Sequence, residues 1–283
     1  MPIPALGLEI PAFGGSAALR AAALGATRIE LNAKGSYGDG GLTPCLEDLK
    51  RFRSDSALEA KVPLRIMIRP RGPPGADHGE FRARDFRYSD DEFGRMEASI
   101  EEFVDSSLLD VSRGDGFVFG ILEEDKCVES DDHTRKRRCW VDQSRCARLV
   151  RAAQPFKCVF HRAFDEIVSC DDDASNRTAR QSWETGLEAV AACGFDGILT
   201  SGRLGKAIDN VGMLERIIQR AHSLQIEIII GGGVRTANVG EIVRRLELRG
   251  RANSVYLHSA CLQADGSEEI NPDEVEGIII QCT

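Results

Sequence analysis

His161-Arg162-Ala163-Phe164-Asp165 places an imidazole, a guanidinium and a carboxylate within five residues, directly after the apolar-rich run 156–160. An imidazole with a reference pKa near ~6.5 can pass protons at physiological pH. A guanidinium can clamp an anionic or carbonyl oxygen through paired hydrogen bonds. The same pattern recurs: Leu8-Glu9-Ile10, Arg28-Ile29-Glu30 and Ile68-Arg69-Pro70-Arg71 each set charge in or just after a strand-like run. The candidate catalytic set is therefore Glu9, Glu30, Arg69, His161, Arg162 and Asp165. His161 would shuttle a proton, Glu30 or Glu9 would be its acid/base partner, and Arg69 with Arg162 would hold an oxygen. That chemistry fits a lyase, isomerase or hydrolase acting on a small polar or phosphorylated substrate. The competing reading is a buried ion-pair network that only fixes the interior.

A second cluster follows later runs. Gly231-Gly232-Gly233 with Thr236 could cradle a phosphate on backbone N–H groups at a helix start, with Ser201 or Ser259 adding a hydroxyl. Ser201, Gly232, Gly233 and Ser259 are thus a candidate anion subsite; the alternative is a tight turn needing positive φ. Of nine cysteines, none forms a CxxC pair, and reduced thiols are expected. Cys158 and Cys193 are expected as small core residues. Cys45 and Cys261 lie near strand-end loops and are the more reachable thiols. Cys127, His133 and Cys139 match no standard metal spacing and are expected in a solvated loop.

The elements that must position these groups are legible as alternation. Strands are expected at 6–10, 27–32, 64–69, 116–121, 156–161, 196–200, 226–231 and 254–258, from β-branched apolar runs. Helices are expected at 15–25, 44–53, 89–105, 142–152, 182–193, 207–223, 236–247 and 272–281. Ser89 with Glu92 spells a capping box, and Thr236 is a candidate cap. Gly25, Gly194 and Gly250 are placed to end helices in the left-handed conformation. Eight β–α units without a linker imply one (β/α)8 TIM barrel over residues 1–283. Its charged loop insertions fall near 72–87, 123–141 and 170–181. Within the strands, Arg28, Glu30 and Asn32 share one face and Ile29 and Leu31 the other; Val159 and His161 oppose Cys158 and Phe160. With apolar faces toward the helices, Glu9, Glu30, Arg69 and His161 gather near the mouth.

Bulk composition narrows the partners. A net charge of −9 argues against a general nucleic-acid binder, although Arg135–Arg138 is a basic run that reads as a nuclear targeting patch or a solvated loop. No stretch approaches the ~18 consecutive apolar residues of a membrane span. The N-terminus lacks the pattern of a signal peptide, so a cytoplasmic protein is expected.

An ordered set of motifs resembles the CutC family of copper homeostasis proteins. The set comprises Arg28-Ile29-Glu30-Leu31, Gly40-Gly41-Leu42-Thr43-Pro44, Ile68-Arg69-Pro70-Arg71-Gly72, Tyr88-Ser89-Asp90, His161–Asp165, Leu199-Thr200-Ser201-Gly202 and Gly231–Gly233, across roughly residues 6–262. The resemblance implies a (β/α)8 barrel, a cytoplasmic copper-homeostasis role, Cu(I) as ligand and a homo-oligomer as one assembly option. Pro11 and Asn32 stand where family members often carry cysteines, and His258 is one place beyond the family's histidine. Copper binding would then rest on Cys45, Cys261 and His258, thiols being the soft ligands that suit Cu(I).

Overall fold

The computed structural model describes residues 5–54, 62–74, 84–125, 138–172, 181–252 and 254–282. In chain order the elements are β1 (Gly7–Phe13), α1 (Gly15–Ala23), β2 (Arg28–Asn32), α2 (Leu46–Arg53), β3 (Leu64–Met67), α3 (Asp90–Asp105) and β4 (Gly116–Phe119). There follow β5 (Leu122–Glu124), β6 (Cys139–Val141), α4 (Gln143–Ala152), β7 (Lys157–Phe160), α5 (Ala163–Val168), α6 (Ser182–Cys193) and β8 (Gly197–Thr200). The chain ends with α7 (Val211–Ser223), β9 (Glu227–Ile230), α8 (Thr236–Arg245), β10 (Val255–His258) and α9 (Pro272–Cys282). The sheet is a closed barrel in the order β1-β10-β9-β8-β7-β4-β3-β2, every pair parallel, which is the (β/α)8 architecture. Closure runs through the β1–β10 pair, with Glu9 opposite His258.

Period-two alternation sorts the side chains. Ile29, Leu31, Leu64, Ile66, Cys158 and Phe160 are fully buried against the helices. The opposite faces meet inside the barrel, where Met67, Val118, Val159, Leu199 and Ile229 form an apolar layer beside Tyr256. Charged residues flank this layer. Arg28 and Glu227 pair toward the amino-terminal end, and Glu30, Arg69 and His161 sit at the carboxyl-end mouth.

Local capping follows chemistry. Ser89 Oγ accepts from the Glu92 N–H at 3.2 Å and Glu92 Oε2 accepts from the Ser89 N–H at 2.7 Å, the expected capping box. Gly25 (φ 103°) and Gly194 (φ 90°) close helices in the left-handed region. Gly250 does not; the left-handed residue is Glu247 (φ 51°), because α8 stops at Arg245 and the turn comes earlier than the glycine. Thr236 is not the cap of α8. Asn238 Oδ1 accepts from the Arg235 N–H at 2.9 Å, and Thr236 gives its N–H to Glu274.

Three elements were not expected. β5 and β6 form an antiparallel hairpin outside the barrel, and the His161–Asp165 run leads into the short helix α5. The insertions anticipated at 72–87, 123–141 and 170–181 are described only in part. Cys127, His133, Arg135–Arg137 and Asp173 lie outside the described residues. Among the described residues, no helix is long and apolar enough to cross a membrane.

Candidate functional site

The mouth is a cavity of about 240 Å³ lined by groups from nearly every barrel strand. Below it runs a column of charge. Glu227 Oε2 accepts from Arg28 Nη1 at 2.8 Å, Arg28 Nε donates to Glu9 Oε2, and Glu9 Oε1 lies 2.8 Å from His258 Nδ1. The Arg28 guanidinium also stacks 3.8 Å over the Tyr256 ring. Ligand atoms of Glu9, Glu30 and His258 all lie within 4.8 Å of one another. The register explains the cluster, since Glu9 is paired directly with His258 and Pro11 with Glu30.

Burial and the neighbouring charges together set the protonation of these groups. Burial would raise the Glu9 carboxyl, but Arg28 and His258 hold it down at about 2. Glu30 is raised by burial and then by the Glu9 charge. His258 would be lowered by burial, yet the Glu9 hydrogen bond and the charges of Glu30 and Glu9 raise it. The cluster thus holds a firm carboxylate, a carboxyl inclined to stay neutral and an imidazole inclined to stay protonated.

His161 is different. Burial and the nearby Arg69 charge lower its pKa to about 3. This holds the imidazole in its neutral form at physiological pH. Its Nδ1 accepts from the Ala163 N–H at 3.3 Å, so the proton sits on Nε2. Nε2 is buried with no partner among the described residues, while the ring lies 4.5 Å from that of Phe86.

The arginines divide their work. Arg69 donates through Nη1 to the carbonyls of Asp39 and Gly41 and through Nη2 to Asp85 at 2.9 Å. Its backbone N–H meets Thr43 Oγ1 at 2.8 Å, so the Gly40–Thr43 loop is tied to the end of β3. Gly41 (φ 89°) is required there, because a Cβ would run into Asn32 Oδ1. Arg162 donates through Nε to Asp165 at 3.1 Å and through Nη2 to Ser201 Oγ at 3.2 Å. Asp165 is fully buried and accepts from Thr200 Oγ1 (2.5 Å) and the Ser201 N–H (3.0 Å); it ties α5 to β8 and does not line the cavity.

The candidate anion residues do converge. Gly232, Gly233 and Ser259 line the cavity, and Ser201 packs against Gly232. The soft-metal set does not. Cys45 is exposed at the start of α2, with Sγ donating to Asp48 at 3.2 Å. Cys261 is buried, and burial pushes its thiol up to about 11. Among the described residues neither joins His258 in a metal-sized cluster; the residues that gather with it at that spacing are Glu9 and Glu30. The sequence reading missed Arg235 and Phe86, which line the mouth. It also missed the thiols of Cys139 and Cys170, 3.7 Å apart across 31 positions. His258 faces inward because Val255 and Leu257, both fully buried, supply the apolar face of β10.

A closed parallel barrel with an acid–imidazole cluster toward its carboxyl-end mouth defines the class: a (β/α)8 barrel. Within that class the chain belongs to the CutC family, whose model matches residues 8–256. It is 32% identical to a CutC family protein of Parabacteroides distasonis, covering 83% of this chain and 76% of that protein. It is 29% identical to the human protein named copper homeostasis protein cutC homolog, over 92% of this chain and 75% of the relative. The crystal structure of a putative copper homeostasis protein CutC from Streptococcus agalactiae shares the fold, with a TM-score of 0.64, 24% identity and coverage of 89% of this chain and 98% of that one.

Proposed function

We propose that this chain serves copper homeostasis in the cytoplasm and holds a copper ion as cargo in the barrel mouth. The family supports the role, and one observation carries the site: Glu9, Glu30 and His258 offer three ligand atoms within 4.8 Å of one another. Two carboxylates and an imidazole suit Cu(II) better than Cu(I), which prefers thiolates. The ion would enter in place of the His258 proton, so binding releases protons. A Cu(I) site would need soft ligands, for which the Cys139–Cys170 pair is better placed than Cys45 and Cys261.

Titration of the protein with Cu(II), and anaerobically with Cu(I), against competing chelators tests the reading. One Cu(II) per chain is expected. His258→Ala should weaken it at least ~10-fold, the cost already met on losing a residue that only orients a ligand, and the Cys45→Ser, Cys261→Ser double variant should bind as wild type. Unchanged affinity in His258→Ala would overturn the site.

A second reading keeps the pocket for acid/base catalysis. It draws on the raised Glu30 carboxyl beside the raised His258 imidazole, a pair able to exchange a proton with a bound substrate. Family membership favours the copper reading.

A further inference from the structure

We infer that the mouth also holds an anion subsite for the phosphate group of a small phosphorylated organic molecule, built from the Gly232–Val234 amides between the guanidiniums of Arg162 and Arg235. The turn after β9, the seventh barrel strand, places Gly232 (φ 93°) and Gly233 (φ 71°) in the left-handed region. All three of Gly232, Gly233 and Val234 line the cavity, and their N–H groups have no partner among the described residues. These amides precede the helix. At the helix start, the Arg235 N–H is given to Asn238 and the Thr236 N–H to Glu274.

Two cations bracket the turn. On the β8 side, Arg162 is held by Ser201, whose Cβ lies 2.6 Å from where a Gly232 Cβ would be. On the β10 side, Arg235 Nη1 donates to Val234 O and Ser259 Oγ, each at 3.0 Å. Among the described residues no carboxylate forms an ion pair with Arg235. The two hydroxyls act as positioning groups for the guanidiniums. Consecutive amides flanked by guanidiniums match a tetrahedral dianion, and the turns after the last two barrel strands are where such barrels often bind phosphate.

The rest of the cavity requires an organic body. Pro11, Phe13, Met67, Phe86 and Leu199 supply apolar wall, and the buried His161 offers an Nε2–H with no protein acceptor. A ligand oxygen beyond the phosphate would satisfy it. Among the described residues the acidic group lining this space is Glu30.

Calorimetric titration of the metal-free protein with inorganic phosphate and, separately, glycerol phosphate tests the subsite. Glycerol phosphate is expected to bind with a Kd of ~1 mM or tighter, and more tightly than inorganic phosphate. Arg235→Gln should weaken both at least ~10-fold, a change of ~1.4 kcal/mol, with its fold checked by circular dichroism. Should that variant not fold, the wild-type melting temperature read against rising glycerol phosphate decides, since a ligand of the native state raises it. His161→Phe should weaken glycerol phosphate alone. No heat and no rise in melting temperature with either anion, or unaltered affinity in folded Arg235→Gln, would overturn the subsite. Equal affinity for the two anions would overturn the organic ligand. Arg235 lies outside the Glu9–Glu30–His258 cluster, so failure here leaves the copper reading standing, and the reverse holds for His258→Ala.

Discussion

At the scale of the residue, burial decides what each group in the mouth can do. His161 falls from an ordinary pKa of 6.5 to about 3, so between those values the unfolded chain binds a proton that the folded chain refuses. Stability therefore rises with pH across this window and is lost as pH falls from 6.5 toward 3, by an amount on the order of a few kcal/mol. Glu9 adds to the same acid limb from below its ordinary 4.5, because its carboxylate is stabilised down to about 2. His161→Phe should flatten the upper part of that limb: urea midpoints measured between pH 7 and pH 4 should fall less in the variant than in wild type. An equal fall would show that the imidazole is protonated in the native state. None of this was legible in the residue types. The histidine reads as a proton shuttle from its intrinsic pKa, and only its enclosure beside Arg69 and Phe86 makes it a neutral donor.

At the scale of the element, turns and caps bear the strain of presenting the site. Gly232 combines φ 93° with a Cβ position 2.6 Å from the Ser201 Cβ, whereas Gly205 has φ 110° in open space. Gly205→Ala should cost only backbone strain, roughly 1–2 kcal/mol. Gly232→Ala should cost more, because it also collides with Ser201, and chemical denaturation of the two variants would separate the contributions. Equal losses would mean that β8 yields at no cost. The capping box at Ser89 and Glu92 was readable because it is a contact over three positions. The β5–β6 hairpin was not, since its strands have three residues each and pair across a charged insertion. Thr236 had the right type for a cap, but Glu274 of the α9 helix claims its N–H.

At the scale of the whole molecule, the two ends of the chain close the barrel. β1 pairs with β10, and the Leu6 N–H donates to Cys282 O at 3.3 Å. Gly7 sits on this seam directly beneath the Tyr256 ring, with no room for a side chain. Gly7→Val should push Tyr256 from under Arg28 and loosen the column that holds Glu9 and His258. The melting temperature should drop by ~2–4 °C for each kcal/mol lost, and Cu(II) affinity should fall with it. A drop in melting temperature with unaltered copper affinity would uncouple the seam from the metal ligands.

Residue order alone determined the eight-fold strand–helix alternation and which face of each strand looks inward. Both are short-range periodicities, set by the two-residue repeat of a strand and the 3.6-residue repeat of a helix. It also determined that Glu30, Arg69 and His161 would end strands at one mouth. Tertiary structure decided the partnerships. Glu9 and His258 are 249 positions apart and meet because the barrel closes; Cys139 and Cys170 meet while Cys45 and Cys261 do not; and Asp165 turns away to tie β8. Those outcomes depend on closure and desolvation, which act between residues distant in the chain and leave no periodic trace in it.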